Sequence, residues 1–104
     1  MEYYIFKTKV EQLIEERKKL HSNDNLRTYK YWERLSDFMG SDEIKTIKFL
    51  NECDADTAGW ISEIFDDLSK RFRSENIITA LDNLDKKFPD LNLTSFVDDA
   101  RSFL

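Results

Sequence analysis

Glycine and proline are nearly missing from this chain: two glycines and one proline in 104 residues. An all-β protein of this length needs many tight turns built on those residues, so their scarcity excludes a sandwich or barrel and favours helices. A single cysteine, Cys53, leaves no internal disulfide to form, which suits a reducing compartment. No apolar run is long enough for a membrane span or a secretory leader, and the start, Met1-Glu2-Tyr3-Tyr4-Ile5-Phe6-Lys7, opens with an acid and soon runs into Lys7 and Lys9. The expectation is a cytoplasmic protein with no membrane association. There is no glycine-rich loop to cradle phosphate, and the one histidine, His21, falls in a polar loop, so nothing in the sequence suggests a catalytic pocket. The chain reads as something other than an enzyme, with no cofactor, no metal and no small-molecule substrate.

Aromatic residues, by contrast, are abundant. Eight Phe, four Tyr and two Trp make 13% of the chain, enough for a packed interior despite 36% charged residues. The length fits one helical domain over residues 1–104. Apolar spacing places five or six short helices. The first carries Tyr3, Phe6, Val10, Leu13 and Ile14 and ends on Arg17-Lys18-Lys19, where cations suit unpaired carbonyls. A polar loop over 21–25 follows. The second helix directs Tyr29, Trp32, Leu35, Phe38 and Met39 inward and stops at Gly40. Ser41 is expected to cap a third, with Ile44, Ile47 and Leu50 on its inner face.

After a break at residues 51–57, Trp60, Ile61, Ile64, Phe65, Leu68 and Phe72 predict one continuous helix. Ser74 is expected to cap a fifth, with Ile77, Ile78, Leu81, Leu84 and Phe88 buried, and Pro89 ends it. Thr94 or Asn92 begins a short last helix through Phe96, Val97, Ala100 and Phe103. Short connections predict a compact all-α bundle with mostly antiparallel neighbours.

Charge is distributed unevenly. Residues 42–67 hold eight acids against two lysines, a net −6, while residues 1–41 sum to +1 and residues 68–104 to zero. The whole negative excess therefore lies in one quarter of the length. Asp54-Ala-Asp56 with Gly59 opens like a calcium loop, but the fifth and twelfth positions would be Ala58 and Phe65, so helix capping explains it instead. Asp66 and Asp67 have Lys70 and Arg71 one turn on as helical partners. Asp54, Asp56 and Glu63 have no local base. Cys53 sits between Glu52 and Asp54, neighbours that disfavour a thiolate.

A concentrated negative field of this kind repels nucleic acid and attracts basic proteins. The candidate partner-binding residues are therefore Asp54, Asp56, Glu63, Asp66 and Asp67, with Tyr29 and Tyr31 beside Trp32 as aromatic anchors. Tyr29 and Tyr31 cannot both be buried on one helix, so at least one should reach solvent.

The stretch from Trp60 to Ser69, through Leu81, to Lys87-Phe88-Pro89-Asp90-Leu91-Asn92-Leu93 resembles small bacterial immunity proteins encoded beside polymorphic or contact-dependent toxins. That resemblance implies a cytoplasmic antitoxin that binds one cognate toxin domain, often a basic nuclease, and neutralises it. A helical adaptor or complex subunit without inhibitory activity is the alternative.

Overall fold

The computed structural model describes residues 1–21 and 23–104; Ser22, in the expected loop at 21–25, lies outside the described residues. Among the described residues, seven α-helices run in the order α1 Tyr3–Lys18, α2 Asn25–Met39, α3 Glu43–Glu52, α4 Ala55–Ile61, α5 Phe65–Phe72, α6 Glu75–Lys87 and α7 Thr94–Arg101. Single 3₁₀ turns occupy Ser62–Ile64 and Pro89–Leu91. Among the described residues there is no strand. Counting α4, the turn and α5 as one bent rod gives six, an all-α bundle.

Side-chain hydroxyls and carboxylates set the helix boundaries by accepting orphan backbone N–H groups. Asp24 accepts from Arg27 N, Asp42 from Lys45 N, Asp54 from Thr57 N and Ser74 from Asn76 N. The third helix is thus capped by Asp42 and not by Ser41, whose Oγ instead donates to Phe38 O and closes the end of α2. Ser41 is one residue too early, and its hydroxyl serves the preceding helix.

Two inner faces differ from the sequence expectation. On α3 the buried residues are Thr46, Phe49 and Leu50, and Ile44 is 82% exposed. Steps of exactly three residues drift around a 3.6-residue helix, so 44, 47 and 50 cannot all face one way. On α2 the buried face is Tyr31, Leu35, Ser36 and Met39, which turns Tyr29 outward.

The expected continuous helix from Trp60 to Phe72 is interrupted at Ser62–Ile64. Ser62 Oγ donates to Gly59 O at 2.6 Å, a local bond that competes with the helical ladder, and Ile64 departs to φ −119°, ψ 14°. Ile61, Ile64, Phe65 and Leu68 are all fully buried, on the face their spacing predicts, so the interruption does not cost the inner stripe.

α1 and α2 pack antiparallel: Phe6 at the start of one stacks on Phe38 at the end of the other, with ring centroids 5.1 Å apart. α3 packs on α6, and α5 on α7. Ser69 Oγ on α5 donates to Ala100 O on α7 at 2.6 Å, the buried polar tie between those two helices. The buried apolar side chains form one contiguous cluster, and the radius of gyration, 12.8 Å, is that of a close-packed chain of about 100 residues. Among the described residues no helix is long and apolar enough to cross a membrane.

Candidate partner-binding groove

The bend at 62–64 carries one of the expected acids. Glu63 sits on it, and its carboxylate receives Arg17 Nε and Nη2, each at 2.9 Å, and Trp32 Nε1 at 3.2 Å. The Arg17 guanidinium also lies over the Trp60 ring, 5.3 Å from its centroid. One half-buried cluster therefore ties α1, α2 and the bend together, and the bidentate carboxylate raises the Arg17 pKa further. Glu63 is a structural acid first.

Asp56, next along the chain from the Asp54 cap, is engaged too, by Lys18 Nζ at 2.8 Å. The basic end of α1 thus does more than stabilise its own carbonyls: it supplies the counter-charges that local spacing could not reveal. Asp54 holds the α4 N-terminus, and the two N–H and O–H groups of Thr57 lower its carboxyl pKa. It faces a separate small cleft of about 160 Å³ with Tyr3, Lys7, Glu52 and Cys53. Burial, and then the Asp54 charge, push the Cys53 thiol up to about 11.

The remaining acids converge. Asp66, Asp67 and Glu63 share a groove with Glu33, Tyr29, Trp32 and Arg71 between α2 and the bend, with a volume of about 630 Å³. Asp67 accepts a 3.3 Å hydrogen bond from Ser36 Oγ. The expected intrahelical pairs, Asp66 with Lys70 and Asp67 with Arg71, do not form; Arg71 reaches across to Asp37 on α2 instead. Among the described residues, no cation pairs with Glu33, Asp66 or Asp67. Tyr29, 66% exposed, stands edge-on to Trp32 at 5.3 Å and forms the groove's aromatic wall.

No protein-family model, curated protein or solved structure matches this chain.

The structure thus gathers Glu63, Asp66, Asp67 and Tyr29 and sets Asp54 and Asp56 apart. Tyr31 is only 4% exposed; its hydroxyl is buried without a hydrogen-bond partner among the described residues, and burial followed by the nearby Glu63 charge raises its pKa. It belongs to the interior. Glu33 is the groove residue that sequence reasoning missed. Its only signal is its position four residues after Tyr29, on the same face of α2. Among the described residues, no group of three or more His, Cys, Asp or Glu side chains is arranged to hold a metal ion.

Proposed function

We propose that this protein is an immunity protein, an inhibitor that docks the basic face of a cognate, nuclease-type toxin domain into the groove between α2 and α5. The observation behind this reading is the convergence of three cation-free acids, Glu33, Asp66 and Asp67, beside the exposed Tyr29. Carboxylates without a cation partner on both walls, Glu33 on α2 and Asp66 and Asp67 on α5, attract lysine and arginine at long range and accept charge-assisted hydrogen bonds at contact. Tyr29 offers a rigid, amphipathic surface to bury once the charges have steered the partner in. A nuclease is basic where it holds phosphate, and the same surface is attracted to carboxylates.

The test is co-expression with the product of the adjacent upstream gene, scored by growth rescue and by co-purification. Rescue by the wild type and its loss in a Glu33→Lys/Asp66→Lys variant that remains folded would support the reading. Rescue that survives both charge reversals would overturn the groove as its seat, and absence of rescue would overturn the immunity function.

The adaptor reading draws on a different observation. Tyr4 and Ile5 on the first turn of α1, and Ile44 on α3, are 75%, 52% and 82% exposed, apolar surface well outside the acidic groove. A stable homodimer in sizing experiments, dissociated by Ile5→Lys, would favour that view.

A further inference from the structure

The two glycines of this chain stand in opposite situations. At Gly40 a Cβ would come within 2.5 Å of Arg71 Cδ and 2.6 Å of the Ser36 carbonyl oxygen, so the fold itself demands glycine there. At Gly59, inside α4, a Cβ would meet nothing within 4 Å, and the backbone is not in the left-handed region. Glycine in a helix interior is less favourable than alanine, since it gives up more backbone freedom on folding. Among the described residues, no neighbouring atom occupies the space a side chain would fill there.

Gly59 lines a second groove of about 460 Å³, walled by Trp60, Leu91 and Phe96. Phe96, on the first turn of α7, is 44% exposed. Glu63 borders this groove and the acidic one alike, so the two meet at the bend. Their chemistry differs. The acids beside Gly59 are already neutralised, Asp56 by Lys18 and Glu63 by Arg17, which leaves a surface suited to an apolar group rather than a cation.

We infer that this groove is the apolar half of the partner site: an amphipathic basic segment of the partner sets its cations against Glu33, Asp66 and Asp67 and presses a bulky apolar side chain onto Gly59 between Trp60 and Phe96. The inference rests on the acidic groove being a partner site. The occupant is argued from charge complementarity on the acidic side and, on the other, from open space over Gly59 between the apolar side chains of Trp60, Leu91 and Phe96.

The experiment is an amide NMR titration of the intact protein with two synthetic peptides. One is a lysine–leucine amphipathic helix with a continuous leucine ridge; the other has the same composition scrambled to abolish the ridge. The ordered peptide should shift the amides of Glu33 and Asp66 together with Gly59, Trp60 and Phe96, and the scrambled peptide only the former pair. Gly59→Ala should raise the melting temperature by about 2–6 °C and weaken the ordered peptide about fivefold or more, without affecting the scrambled one. Phe96→Ala, at an exposed position, should weaken the ordered peptide likewise. If Glu33 and Asp66 respond while Gly59 and Phe96 do not, or if Gly59→Ala binds as the wild type does, the apolar half is refuted and the acidic groove stands. If neither set responds to either peptide, both readings fall.

Discussion

Replacing Glu63 by alanine removes the acceptor of three hydrogen bonds, two from Arg17 and one from Trp32. The side chains of Arg17 and Glu63 are 18% and 23% exposed, so the pair lies between two limiting cases. Solvent-exposed ion pairs contribute about 0–1 kcal/mol, whereas stranding one partner of a fully buried pair costs about 3–5 kcal/mol. Partial burial, the bidentate geometry and the additional indole donor place the expected loss at about 2–3 kcal/mol. For a chain of this size that corresponds to a fall of about 10 °C in melting temperature. Urea unfolding followed by circular dichroism measures it directly, with the slope against denaturant unchanged. Because the cost arises from a stranded guanidinium, Arg17→Met combined with Glu63→Leu should recover most of it. Asp66→Ala, on the open side of the same groove, should stay within about 0.5 kcal/mol of wild type. A Glu63→Ala loss below about 0.5 kcal/mol, or a double variant whose losses simply add, would refute the structural role of this carboxylate.

Three further predictions concern the interior and its edges. Gly40→Ala should destabilise by about 1–3 kcal/mol, because the flexible Arg71 side chain can retreat but the Ser36 carbonyl cannot; thermal unfolding checks it. Tyr31→Phe removes a buried hydroxyl that has no partner among the described residues, so stability should match or exceed that of the wild type in the same assay. The Cys53 thiol, held up to about 11 against an ordinary 9.0, binds its proton more tightly in the folded than in the unfolded chain. Its contribution is complete below about pH 9 and is lost as pH rises towards 11, a slope that Cys53→Ser should flatten. Thiol-reactive dye should correspondingly label the native protein slowly at pH 8.

What was legible in the sequence was local. Phe6, Val10, Leu13 and Ile14 mark the inner stripe of α1, and Ile77, Ile78, Leu81 and Leu84 that of α6, because a 3.6-residue period is written directly in the spacing. Capping by Asp54 and Ser74 was legible from residue type, a short side chain with an acceptor oxygen just ahead of the helix. The site was harder to read because its chemistry is non-local. Glu63 looked like a free acid, since its partner Arg17 lies 46 residues away. Asp56 looked free with Lys18 38 residues away. Glu33 was overlooked because it lies in a stretch whose charges nearly cancel, and only folding carries it beside Asp66 and Asp67. The interruption at 62–64 that carries Glu63 into the groove coincides with a hydrogen bond from the Ser62 hydroxyl to the Gly59 carbonyl, which apolar periodicity does not record.

The central claim is that Glu33, Asp66 and Asp67 capture a basic partner electrostatically, and the most direct test is the association rate constant with that partner as a function of ionic strength. For the wild type, the rate should fall about tenfold or more between low and high salt, as the Debye length shrinks below the reach of the groove's field. For Glu33→Lys/Asp66→Lys it should start lower and vary little with salt, while the far-ultraviolet spectrum and unfolding midpoint stay unchanged. Equal rates and equal salt slopes for the two proteins would contradict the account.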